Sequence, residues 1–101
     1  MIDLDRIEGF DWDEGNSRKS ADKHGVGQAE AEQVFLNEPL LLAEDACHSR
    51  AEARFHALGR TDAGRLVHVT FTLRQGGTKV RVISARDMSR KERSRYEQEQ
   101  G

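Results

Sequence analysis

Cysteine, proline, tryptophan and tyrosine each occur once in the 101 residues. The single Cys47 excludes an internal disulfide and any site built from several thiolates, and it fits a reducing cytoplasm. Aromatic residues make up 6% of the chain and hydrophobic residues 36%, which predicts a small core. At this length one domain over residues 1–101 is expected, burying roughly two-thirds of its unfolded surface without disulfides. Long apolar runs are missing. The longest, Leu40–Ala43, falls far short of the roughly 20 residues of a membrane-spanning helix, so no membrane association is expected. Asp3, Asp5 and Glu8 stand where a secretory signal would need a basic start and an apolar run.

Metal-ligand spacing is also lacking. His24, His48, His56 and His68 are scattered, no H-x-x-x-H or C-x-x-C pair occurs, and adjacent Cys47 and His48 would rarely aim at one ion. Gly76-Gly77 reads as a hairpin turn rather than a phosphate loop. Cys47 has no nucleophile signature around it and reads as a small buried hydrophobe. No metal or cofactor is expected.

Charge is plentiful, at 34% of residues with a net charge of -2, and it is unevenly spread. Residues 1–53 hold 13 acids and 5 bases, whereas residues 54–101 hold 11 bases and 5 acids. Arg74, Lys79, Arg81, Arg86, Arg90, Lys91, Arg93 and Arg95 are opposed in their stretch only by Asp87 and Glu92. Such a split suits a basic face for nucleic acid or an acidic protein partner. The plainer alternative is a solvated surface of mixed sign.

Periodicity predicts two helices, four strands and a final helix. Asp13, after Trp12, can cap a helix over 14–23 that Gly25 stops, with Trp12, Ala21 and Val26 as its apolar contacts. A second helix over Gln28–Leu36 carries Ala31, Val34 and Phe35 as its stripe and ends at Asn37 and Pro39. Strands follow at Leu40–Ala43, Arg54–Arg60, Leu66–Leu73 and Lys79–Ala85. Turns at Thr61–Gly64 and Gln75–Gly77 make the last three an antiparallel meander. Ser89 and Glu92 form an S-x-x-E capping box for a helix to about Tyr96, leaving Glu97–Gly101 loose. The expected class is α+β, with helices on one face of a four-stranded, mainly antiparallel sheet.

The remaining chemistry is arginine. Arg81 points away from Val80 and Val82, Arg86 follows the last strand, Arg90 and Arg93 lie one helical turn apart, and Arg60 ends the second strand. Guanidinium forks match phosphate oxygens, and several on one sheet face could hold an RNA backbone.

Ordered blocks over residues 10–97 resemble the BrnT toxins. They are Phe10–Glu14, Lys23-His24-Gly25-Val26, Ala29–Phe35, Pro39-Leu40-Leu41, His48-Ser49 with Glu52 and Arg54, and Ala57–Thr61. Arg81–Arg86 and Arg90-Lys91-Glu92-Arg93 with Tyr96 complete the set. Ser20 departs from the Asn usual in that family. The resemblance implies a RelE-like fold, metal-free RNA cleavage, and a hetero-oligomer with a BrnA-type antitoxin, through whose ribbon-helix-helix segment DNA would be met indirectly.

On that basis Arg60, Arg81 and Arg86 would grip and stabilise the phosphate during attack by the RNA 2′-hydroxyl. His24 or Lys23 could move protons, and Tyr96 could stack on a base or donate a proton. Lys23, Lys79, Arg90 and Arg93 would hold RNA. Plainer roles are a helix C-cap for His24, packing for Tyr96, and an ion pair with Glu52 for Arg54; His48 and His56 could reach RNA, but exposed histidines mostly do nothing. Two other functions compete: an inactive antitoxin-binding corepressor of the same fold, and a small RNA-binding accessory protein.

Overall fold

The computed structural model describes residues 4–12, 25–45 and 53–100. A 3-10 turn at Leu4–Arg6 leads to strand β1 (Gly9–Phe10) and helix α1 (Gln28–Leu36). Strands β2 (Leu41–Asp45), β3 (Arg54–Arg60), β4 (Leu66–Arg74) and β5 (Lys79–Asp87) follow, and helix α2 (Arg90–Gln100) ends the described chain. The sheet order is β1-β5-β4-β3-β2. Strands β2 to β5 pair antiparallel, whereas β1 runs parallel to β5. The sheet is therefore five-stranded and mixed rather than four-stranded, because a two-residue strand leaves no alternation to read. Two α-helices lie among the described residues instead of three. The helix expected over 14–23 falls outside them.

Alternation along β3 and β4 separates two apolar layers. Phe55, Ala57, Val67, Val69 and Phe71 join Val80, Val82 and Ala85 of β5 beneath Ala31 and Val34 of α1. Gly59 permits this approach, since a Cβ there would fall 2.7 Å from Val34 Cγ1 and 3.0 Å from the Val34 carbonyl oxygen. On the other face Leu58, Met88 and Tyr96 cluster, with Leu41 and Leu66 packed against them. The helices thus lie on opposite faces, not on one. Alternation makes the second face look polar through His68, Thr70 and Thr72; it is Leu41, Leu58 and Leu66 that create an apolar patch for α2 to cover.

The turns form as expected. Gly64 and Gly76-Gly77 have positive φ, a conformation that costs a residue without Cβ little. The box at the start of α2 is present, with the Ser89 amide donating to Glu92 Oε1 at 2.9 Å and the Glu92 amide donating to Ser89 Oγ at 3.2 Å. Beyond Tyr96 the helix continues through Glu97–Gln100 rather than fraying. Glu and Gln propagate a helix well once the buried Tyr96 anchors it. Between α1 and the sheet, Arg65 donates from Nε to Asp87 Oδ1 at 2.7 Å and from Nη1 to Glu30 Oε2 at 3.1 Å. This clamp joins the helix start to the ends of β4 and β5.

Candidate active site

Cross-strand partners in a sheet point to the same face, so the pairing arranges the α2-side surface in rows. The first row is Leu41, Leu58, His68 and Arg86, and the second is Ala43, His56, Thr70 and Ser84. Asp45, Arg54, Thr72 and Arg81 form the third. Arg86 reaches the first row only because the register shifts between Thr70 and Phe71. Thr70 pairs with Ser84 but Phe71 with Val82, leaving Ile83 as the extra residue of a bulge. Without it Arg86 would point toward the α1 core. Arg86 also lies within β5, not after its end as expected.

Helix α2 roofs the first row, and a cleft of about 570 Å³ opens beside it, lined by Leu41, Ala43, His56, Leu58, His68 and Arg86 from the sheet. Lys91, Glu92 and Arg95 line it from the helix. Its polar groups are connected. Asp45 Oδ2 and His56 Nε2 lie 3.0 Å apart. A carboxylate only accepts, so a neutral His56 carries its proton on Nε2 and offers Nδ1 as an acceptor. Thr70 Oγ1 sits 3.2 Å from that nitrogen and His68 Nε2 3.0 Å. A neutral His68 that donates from Nε2 carries no proton on Nδ1, and this buried atom has no hydrogen-bond partner among the described residues. Asp45 is 13% exposed and His56 33%, so the carboxylate is sheltered while the imidazole it orients meets solvent.

Beside this chain, Arg86 holds Glu92 through two bonds, Nη1 to Oε1 at 2.8 Å and Nη2 to Oε2 at 3.1 Å. Glu92 Oε2 also stands 4.0 Å from His68 Nε2. Burial opposes ionisation of Glu92, but hydrogen bonds from Arg86 and the Ser89 amide and the nearby positive charge outweigh it, holding its pKa at about 2. For His68, burial first, then the charges of Arg86 and His56, bring the pKa down to about 4 against an opposing pull from Glu92.

His68 makes stability depend on pH in a definite direction. The unfolded imidazole takes a proton near pH 6.5, but the folded one resists until about 4. Its contribution is complete above pH 6.5 and is lost as pH falls toward 4, about 3 kcal/mol in all. Urea unfolding at pH 7 and pH 5 should show the wild type losing about 2 kcal/mol more than His68→Gln. Equal losses in the two proteins would remove His68 as the cause.

Arg60, Arg81 and Arg86 share the α2 face of the sheet, as expected, but only Arg86 lines the cleft. Arg81 shares the face but lies in the third row, where its Nη1 sits 3.6 Å from Asp11 Oδ2. Arg60 is exposed at the end of β3 and does not line the cleft. Lys79 begins β5, at the end of the strand away from Arg86. Arg90 and Arg93 line a separate shallow depression with Ser94 and Glu97 on the outer side of α2, and it is Lys91 and Arg95 that face the cleft. Tyr96 is fully buried, with its hydroxyl donating to the Pro39 carbonyl at 2.6 Å. Lys23, His24, Cys47 and His48 lie outside the described residues. Among the described residues no group of three or more His, Cys, Asp or Glu side chains could hold a metal ion, and no helix is long and apolar enough to cross a membrane.

The sequence alone does not bring Asp45, His56, His68, Lys91, Glu92 and Arg95 together as a group. A signal existed for the histidines: the Thr61–Gly64 turn sets Arg60 opposite Leu66, which brings His56 opposite Thr70 and diagonal to His68. No local signal sets the pairing of β2 that delivers Asp45.

A sequence profile described as the ribonuclease toxin BrnT of type II toxin–antitoxin systems matches residues 12–92. The fold is similar to that of the Brucella abortus ribonuclease toxin BrnT, solved in a crystal at 1.1 Å. The TM-score is 0.58 at 24% identity, covering 81% of this chain and 97% of that one. No curated protein sequence matches the chain. An α+β fold with a cleft beside its C-terminal helix, together with the profile, defines a ribonuclease toxin of the type II toxin–antitoxin class. Within that class the chain belongs to the BrnT family, so a cognate antitoxin and an RNA substrate are implied.

Proposed function

We propose that the cleft cleaves RNA without a metal, by attack of a 2′-hydroxyl on its neighbouring phosphorus. The observation that carries the reading is the continuous Asp45–His56–His68 chain set against the Arg86–Glu92 pair in one cleft. Neutral His56, whose own proton the Asp45 bond directs to Nε2, takes the 2′-hydroxyl proton on Nδ1 once the substrate hydroxyl replaces His68 Nε2 as the donor there, as the oxygen bonds to phosphorus. Arg86 spreads its donors over the non-bridging oxygens, where charge builds. The bond to the 5′-oxygen breaks, and that oxygen takes a proton from a cation at the rim. Lys91 lines the cleft and suits this role; Lys23 and His24 stay candidates for it. The apolar floor of Leu41, Ala43 and Leu58 receives a base, and Arg95 a flanking phosphate. Farther along the open face, Arg81 and Lys79 lie where the strand would continue.

A BrnA-type antitoxin with a ribbon-helix-helix segment is the proposed partner, and the cytoplasm the proposed site of action. Purified protein should cut single-stranded RNA in EDTA, leaving 2′,3′-cyclic phosphate and 5′-hydroxyl ends. Cleavage abolished by EDTA, or 5′-phosphate products, would exclude this chemistry. Intact RNA with tight antitoxin binding retained would support the inactive corepressor instead.

A further inference from the structure

Arg86 is the cleft cation best shaped for a phosphate, yet its fork is already filled by a carboxylate from the same cleft. Both oxygens of Glu92 are engaged, at 2.8 and 3.1 Å, in the side-by-side arrangement that two non-bridging phosphate oxygens would adopt. The same side chain accepts from the Ser89 amide at 2.9 Å, so the helix cap holds it over Arg86. Glu92 is three-quarters buried and Arg86 is 38% exposed on its side chain, so the pair is open to solvent from the arginine side. An incoming RNA phosphate cannot use the same Arg86 donors while Glu92 holds them, and an anion placed beside a retained carboxylate would be repelled.

We propose that Glu92 is a built-in occupant of the phosphate seat, displaced from Arg86 when RNA binds, and that it sets the affinity of the cleft through that arginine. This rests on reading the cleft as the RNA site, but it assigns Glu92 a role outside the chemical step. As a positioning residue, Glu92 keeps the Arg86 fork flat and aimed into the cleft while the cleft is empty, and competition for the fork weakens substrate binding. Removing the charge while keeping the cap therefore strengthens phosphate binding. A merely structural Glu92 would show no such gain.

Glu92→Gln is the informative variant, because Gln can still accept from the Ser89 amide in a capping box. Inorganic phosphate and a 2′-deoxy dinucleotide are titrated into the full chain and followed by NMR. Both should bind about fivefold more tightly to Glu92→Gln than to the wild type, whereas Glu92→Asp, which keeps the charge, should show no gain. KM for RNA should fall by a similar factor. In the wild type, saturating phosphate should move the Glu92 carboxyl resonance together with the Arg86 guanidinium resonances, a readout that holds even if the variant folds poorly. Unchanged or weaker binding by folded Glu92→Gln, or phosphate binding that leaves the Glu92 resonance unmoved, overturns the proposal. RNA cleavage by the wild type reports separately on the nuclease reading, which can stand when this one falls. Displacement of Glu92 by phosphate without any RNA cleavage would reverse that outcome.

Discussion

Replacing His56 by Gln should lower the rate of RNA cleavage at least about 100-fold while leaving the folded structure in place. Gln still offers an N–H toward Asp45, so the sheltered carboxylate keeps a partner, but it cannot take a proton. The expected loss lies within the range of general base catalysis and falls on kcat more than on KM. Asp45→Asn should lose less. It replaces an acceptor-only carboxylate by an amide that can donate as well as accept, so the His56 tautomer is no longer fixed, but the imidazole remains in place between Thr70 and His68. Initial rates on a single-stranded RNA in EDTA, with melting temperatures alongside, separate the cases. Wild-type rates in His56→Gln would remove this histidine from the chemistry.

Arg86→Ala should cost about 100-fold to 1,000-fold in kcat, the range seen when a group that stabilises developing oxyanion charge is removed. Two effects add in this variant. The transition-state oxygens lose their fork, and the Glu92 carboxylate, only 24% exposed, is left in the cleft without its main counter-charge. Arg86→Lys keeps a charge but not the planar pair of donors, so it should recover only part of the rate. The same assay should find Arg60→Ala close to wild type, because that exposed side chain does not line the cleft. If Arg60 proved essential and Arg86 dispensable, the phosphate would have to sit at the end of β3.

Much of this architecture can be read from residue order. Val67, Val69 and Phe71 alternate cleanly, and glycines stand where the chain reverses, so β3, β4 and β5 emerge as a meander with the observed neighbours. The first part of α2 follows from Ser89 and Glu92 alone. What resists reading is whatever depends on register or on a break in periodicity. The apolar positions Val80 and Val82 are two apart, but the next core residue is Ala85, three further on; that change marks the bulge, and with it the face on which Arg86 emerges. Counting arginines on a regular strand misses it. Glu92 was legible as a cap and invisible as the partner of Arg86, because both uses employ the same Oε1 atom and only one is local in sequence. Asp45 needed the pairing of β2 with β3, a contact set by packing of Leu41 on Leu58 rather than by a short turn.

The most direct measurement is the position of a bound phosphate. A structure of the protein with a short single-stranded oligonucleotide, blocked by a 2′-deoxy sugar at the cleavable step, would reveal it. The account places that phosphorus in the cleft beneath α2, with non-bridging oxygens on Arg86, the attacking sugar position beside His56 Nδ1, and Glu92 turned away. A phosphate seated on Arg60, or along Arg90 and Arg93 on the outer side of α2 with the Arg86–Glu92 pair undisturbed, would contradict it.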